Sequence, residues 1–261
     1  MRSRRKALGQ HFLSKPEILD RMVEYAELSS SDIVLEIGAG KGELTRRLAE
    51  RAGLVIAVEL DDRFLSYLEP LLKEYPNIKL LIGDVLKLKP TGFNKVVSNP
   101  PYSISSRLLE WLIYSRPELM VLTLQREFAV KLIAKPGSPK YLYISVISSL
   151  LYDSRILEII PRRFFDPPPR VDSALVSMRR RSEDLILKDS WREILKKLFT
   201  RRRQRLRRVI SDLLEDVGSD RLGQVFSLLD EHILSRRVYE LTPSEILEVA
   251  KILERAIGGI S

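Results

Sequence analysis

Cysteine is absent from all 261 residues. That removes a disulfide framework, cysteine-ligated zinc and thiol catalysis from consideration. Histidine occurs only twice, which leaves little material for a histidine-based metal site, and no metal is expected. No apolar run approaches the length of a membrane span, and the basic N-terminus does not lead into a signal-type apolar core. The expectation is a soluble cytoplasmic protein with no membrane partner. Charge, by contrast, is plentiful: 30% of residues are charged and the net charge is +9. The densest basic run is Arg201-Arg202-Arg203-Gln204-Arg205-Leu206-Arg207-Arg208. A basic surface points to a polyanion such as nucleic acid, or else to an Arg-rich solvated face.

Hydrophobic residues, at 44%, suffice for a large core. Along the first two thirds, short apolar runs alternate with helix-like segments. A helix is expected after Ser14 and Pro16, with Ile18, Leu19, Met22 and Val23 on one face. Strands are expected at 33–37, 54–58, 78–82, 95–98 and 119–124, then at 143–151, 156–160 and 173–178. Alternation of this kind predicts an α/β fold with a parallel sheet covered on both faces. Beyond about residue 180 the spacing turns helical, through Ile194, Leu198, Val209 and Leu213, and Thr242 is placed to cap a last helix. Two domains are expected, 1–180 and a small all-helical 181–261.

Gly38, Gly40 and Gly42 fall between a strand and a helix, where glycine permits a tight turn and close approach of a ligand to the main chain. The spacing is not that of a dinucleotide fingerprint, and no lysine follows the last glycine as in a phosphate loop. Glu59 ends the next strand, where a carboxylate can accept two hydrogen bonds from a ribose diol. Asp84 ends the third, where it can accept one from an adenine amino group. Each alone could be an ordinary strand end; together they favour an adenosyl ligand.

Asn99-Pro100-Pro101-Tyr102 ends the fourth strand. An aromatic amine is a poor nucleophile because its lone pair is delocalised into the ring. Two acceptors on its hydrogens, the Asn99 side-chain oxygen and the Pro100 carbonyl, can localise that pair. The prolines stiffen the loop and Tyr102 offers a face on which a base can stack. Since the sulfonium methyl donor is already activated, positioning can carry most of the catalysis. The reading is methyl transfer from S-adenosylmethionine to an exocyclic amine of a nucleobase.

At this point the chain resembles the KsgA-type ribosomal RNA adenine dimethyltransferases, archaeal members included. The resemblance rests on Leu8-Gly9-Gln10-His11-Phe12-Leu13, the glycine turn, Gly83-Asp84, the Asn99–Tyr102 loop, Gln125, the run from Phe165 to Ala174, and Phe199-Thr200-Arg201-Arg202-Arg203. It implies a Rossmann-like methyltransferase sheet with a helical C-terminal domain. It further implies His11 and Leu13 bordering the cofactor, Gly38 on its methionine part, Glu59 on the ribose, Asp84 on the adenine, and Asn99 on both cofactor and target. Phe165 would pack against the target base. Pro100 departs from the family's usual Leu or Ile. The implied function is dimethylation of two adjacent adenosines near the 3′ end of small-subunit rRNA, by a monomer acting on a pre-ribosomal particle. The alternatives are an Erm-like enzyme for large-subunit rRNA, a DNA enzyme, or chiefly an assembly factor.

Overall fold

The computed structural model describes residues 11–181, 185–215 and 219–258. The basic stretch 2–6 and the residues Leu8-Gly9-Gln10 lie outside these. The chain divides into two compact units, one of residues 1–129 with 152–181, the other of 130–151 with 182–261.

The first unit is built on a seven-stranded sheet. Its strands are β2 (Ile33–Ile37), β3 (Leu54–Glu59), β4 (Ile78–Ile82), β5 (Lys95–Ser98), β6 (Leu119–Gln125), β7 (Tyr152–Ile160) and β9 (Ser173–Arg180), in the order β4-β3-β2-β5-β6-β9-β7. The first five are parallel; β9 runs antiparallel between β6 and β7. The inner strands β2, β3 and β6 are near-continuous apolar runs because both faces of a parallel sheet are covered. From β2 the chain winds outward to β4, then returns to start β5 on the other side of β2. Loops after β2 and β5 therefore diverge and leave a crevice between them, the usual ligand position in such sheets.

Around the sheet lie helices α1 (Pro16–Tyr25), α2 (Glu43–Ala49), α3 (Leu65–Glu74), α4 (Val85–Leu88) and α5 (Ser105–Ser115). Pro16 opens α1, where its missing N–H costs nothing, and Ile18, Leu19, Met22 and Val23 form the buried face. Ser14 does not cap this helix; its N–H donates to the Phe164 carbonyl (2.9 Å). The reason is a second, two-stranded sheet, in which β1 (Phe12–Leu13) pairs antiparallel with β8 (Phe165–Asp166). It joins two motifs that lie some 150 residues apart in the chain.

The second unit is helical. After α6 (Arg126–Leu132), which spans the boundary between the units, come α7 (Tyr143–Leu151), α8 (Asp189–Thr200), α9 (Leu206–Leu213), α10 (Ser219–Ser227), α11 (Glu231–Ser235) and α12 (Pro243–Gly258). On α8, Trp191, Ile194, Leu195, Leu198 and Phe199 make a buried stripe at helical spacing. Thr242 does cap α12: its hydroxyl accepts from the Glu245 N–H while Glu245 accepts from the Thr242 N–H.

Residues 143–151 form helix α7 and not the expected strand. Their run of apolar residues and serines fits either period, and burial on nearly every side removes the polar face that would separate them. The strand begins directly afterwards, at Tyr152. Residues 130–151, which comprise the end of α6, a turn-rich stretch and α7, group with the C-terminal helices, a division that the expected single boundary near 180 does not contain.

At the end of the sheet opposite the crevice, Asp32 ties three strands together. Its carbonyl accepts from Gly53 and Leu54, at the start of β3. Its carboxylate accepts from Ser29, Asn94 and Lys95. Burial alone would push this carboxyl up, but the bonds from Asn94, Ser29 and Lys95 outweigh it and bring it from 3.8 down to about 2. A depressed carboxyl adds stability above its unfolded value and loses it as pH falls through the folded one. Asp32→Ala should therefore cost about 2 kcal/mol at pH 7. In urea melts, the gap from the parent should close as pH falls from about 4 to about 2. A gap that stays constant over that range would show that ionisation of Asp32 contributes nothing.

Candidate active site

Glycines build the floor of the crevice. Gly38 has φ +81°, and its N–H donates to the Val58 carbonyl (2.7 Å), drawing the loop after β2 onto β3. Gly40 has φ +55°, and a Cβ there would stand 2.7 Å from the Phe12 ring. Any side chain at 40 would push away the segment that carries His11 and Phe12.

Glu59 holds this loop in place. Its Oε2 accepts from the Gly40 N–H and its Oε1 from the Asp61 N–H, both at 2.8 Å. Only 3% of the residue is exposed. Burial pushes its carboxyl above the ordinary range, and the N–H groups of Asp61, Gly40 and Leu60 oppose the rise. Each oxygen keeps lone-pair capacity toward the crevice. Asp84 follows Gly83, whose N–H donates to the Glu59 carbonyl (2.7 Å). Asp84 Oδ1 accepts from the Leu86 N–H (2.9 Å), which caps α4 and leaves Oδ2 for a ligand.

The fourth strand end is fastened to the first. Ser98 is fully buried; its hydroxyl donates to the Ile37 carbonyl (2.6 Å) and accepts from the Ile37 N–H (3.2 Å). Asn99 is thereby set beside the glycine loop. Its Nδ2 donates to the His11 carbonyl (2.8 Å), and its Oδ1 accepts from the Thr123 hydroxyl. Since a carbonyl can only accept, this fixes which end of the amide is oxygen. By the same logic His11 donates through Nδ1 to the Pro167 carbonyl (2.7 Å).

Tyr102 stands between two rings, His11 with centroids 5.7 Å apart and Phe165 at 6.4 Å and edge-on. Its hydroxyl bonds that of Ser173. Burial pushes the Tyr102 hydroxyl up to about 12, with bonds to Ser173 and Thr123 offsetting part of the rise, so it is neutral at ordinary pH.

A cavity of about 970 Å³, counted to its open mouth, fills the crevice. His11, Gly38, Glu59, Asp84, Asn99, Pro100 and Tyr102 all line it. Leu13 lines a neighbouring cavity, which shares Phe12, Gly38 and Asn99 with the first. Phe165 lines neither; it is 3% exposed and backs Tyr102. Sequence reading gave no role to Ser98 and Thr123, whose only signal is a small hydroxyl inside or at the end of an apolar strand, or to Ser173, which lies in the run from Phe165 to Ala174. It also passed over Glu36, which borders the second cavity, is 1% exposed, and is pushed up to about 8 mainly by burial.

The sequence model for ribosomal RNA adenine dimethylases matches residues 1–251. Among similar proteins, the probable ribosomal RNA small subunit methyltransferase A of Methanopyrus kandleri is 41% identical over 260 residues, covering 97% of this chain and 94% of that protein. A protein of the same name from Pyrococcus abyssi is 37% identical, covering 94% and 90%. The crystal structure of a dimethyladenosine transferase from Plasmodium falciparum superimposes with a TM-score of 0.84 at 29% identity, covering 94% of this chain and 98% of that one. That of the 23S rRNA methyltransferase ErmE gives 0.67 at 28%, covering 93% and 99%.

Glu59→Gln keeps the shape of the side chain but turns an N–H toward a backbone N–H, donor against donor. By calorimetry, its affinity for S-adenosylhomocysteine should fall by at least about tenfold. Unchanged affinity would remove Glu59 from the ligand site.

Proposed function

As a member of the ribosomal RNA adenine dimethylase family, and hence an S-adenosylmethionine-dependent rRNA adenine dimethyltransferase, the chain acts, we propose, on two adjacent adenosines near the 3′ end of small-subunit rRNA. It would do so as a monomer, in the cytoplasm, on rRNA within a pre-ribosomal particle. One observation carries the reading. The Asn99–Tyr102 loop and the two strand-end carboxylates Glu59 and Asp84 line the same cavity.

The residues present fit the donor. The adenosyl part would lie in the first cavity, its ribose diol on Glu59 and its adenine amine on Asp84. Gly38, shared by both cavities, would let the chain of the donor pass from one to the other. The amino-acid end would reach the second cavity, where Glu36 can face an ammonium and Lys41 a carboxylate. Acidic groups around this path suit a cationic donor, whose charge would draw the raised Glu36 and Glu59 toward their ionised forms.

The donor supplies an electrophilic methyl, which the N6 lone pair takes as the carbon–sulfur bond breaks onto sulfur. The chain presents that nitrogen. Asn99 Oδ1 has one lone pair committed to Thr123 and a second for an amine hydrogen. The Pro100 carbonyl accepts the other. Tyr102, neutral and braced by His11 and Phe165, stacks on the extruded base. A proton then leaves the alkylated nitrogen for solvent.

Arginines supply the phosphate contacts. In the second unit Arg202 and Arg203 line a cleft with Arg237 and Tyr239. Not all of the 201–208 run is available. Arg201 pairs with Asp212, Arg207 pairs with Glu231, and Leu206 is buried. Arg162, Arg163 and Arg179–Arg181 add charge in the first unit. Affinity for rRNA should therefore fall with salt. Among described residues no helix is long and apolar enough to cross a membrane.

Labelled donor, offered with undermethylated small subunits, naked rRNA, large subunits or duplex DNA, should leave N6,N6-dimethyladenosine in small-subunit rRNA. Label confined to DNA or to large subunits would overturn the assignment. Asn99→Ala should lower transfer at least about a hundredfold while binding to small subunits changes less than about threefold. If binding falls as far as transfer, Asn99 is structural.

A further inference from the structure

Behind the Asn99–Tyr102 loop stand two hydroxyl groups that the chemistry above does not itself require. Thr123 lies on β6 between Leu122 and Leu124 and is fully buried. Ser173 opens β9 and is buried as completely. A hydroxyl in a strand core is costly unless it is bonded, and valine would fill the space at 123 at no such cost.

Both hydroxyls are bonded, and to the site. Thr123 has one proton and gives it to Asn99 Oδ1. The Ser173 hydroxyl bonds that of Tyr102, and either oxygen can be the donor.

We propose that Thr123 is a positioning residue for the methyl transfer: its hydroxyl sets the plane of the Asn99 amide, so that the amine acceptor is held in place. The terminal torsion of an asparagine is soft. The His11 carbonyl anchors the nitrogen end of the amide, and Thr123 anchors the oxygen end. Without Thr123 the amide can pivot about its nitrogen bond and swing Oδ1 off the approaching amine. This inference rests on the reading that Asn99 presents an acceptor to the target.

The test uses the full chain with undermethylated small subunits. Thr123→Val should lower kcat by about tenfold to a hundredfold, the scale of a displacement of about 1 Å in a reacting group. KM for small subunits and the calorimetric affinity for S-adenosylhomocysteine should stay within about twofold, since no ligand contact is removed. The Asn99 side-chain amide resonances in 15N-labelled protein should shift. Thr123→Ser should recover kcat to within about threefold of the parent, because the hydroxyl returns. Should the valine variant fail to fold, Thr123→Ala removes the same hydroxyl with a smaller side chain, and should lower kcat with KM unchanged. Full kcat in the valine variant would overturn the proposal. So would equal losses in the valine and serine variants with the Asn99 resonances unmoved, or, where Thr123→Ala stands in, full kcat in that variant. Asn99→Ala, run alongside, separates the two levels: an active Asn99→Ala removes the underlying reading, whereas an inactive one beside a fully active Thr123→Val removes only this inference.

Discussion

The buried hydroxyl of Ser98 clasps both backbone groups of Ile37, and the rest of the site depends on that clasp. Strands β2 and β5 are where the winding of the sheet reverses, so loops leaving them diverge. A crevice alone is only an opportunity. The Ser98–Ile37 bonds fix the two strand ends in depth. The glycine loop and the Asn99 loop therefore begin at one level, side by side on one cavity. A donor lying on the first is in reach of acceptors on the second.

Everything added to that frame lowers mobility. Glu59 gives both oxygens to backbone N–H groups and so holds the glycine loop while facing the cavity. The β1–β8 pair brings the His11–Leu13 segment across the sheet and places the His11 carbonyl on Asn99. Prolines 100 and 101 restrict the backbone between Asn99 and Tyr102. Rigidity of this kind suits a reaction whose electrophile arrives activated, because little is left for the protein except to hold the nitrogen lone pair on line. The electrostatics agree: acidic side chains line this path, and a cationic donor there would favour the ionised form of the raised Glu36 and Glu59, while Tyr102 stays neutral.

Much of this was legible in the chain. Parallel strands announce themselves as short apolar runs between helical segments, and the candidate site residues follow strand ends, so the sequence alone places Gly38, Glu59, Asp84 and Asn99 on one edge. What stayed hidden has physical causes. Helix α7 is buried on nearly every side, so its sequence lacks the polar stripe that separates a helix from a strand. The β1–β8 pair joins two-residue strands that have no pattern of their own and form only because the folded sheet brings them together. Thr123 and Ser173 look like tolerated polar residues until the side chains they bond are seen. Phe165, expected against the target base, packs behind Tyr102, its backbone paired to Leu13 and its ring buried.

The most direct measurement is a crystal structure with S-adenosylmethionine bound. The account predicts a sulfonium methyl facing the Asn99–Tyr102 loop, with Asn99 Oδ1 and the Pro100 carbonyl flanking a point about 3.5 Å from the methyl carbon where an amine nitrogen can sit. A donor bound with its methyl turned away from that loop would contradict it.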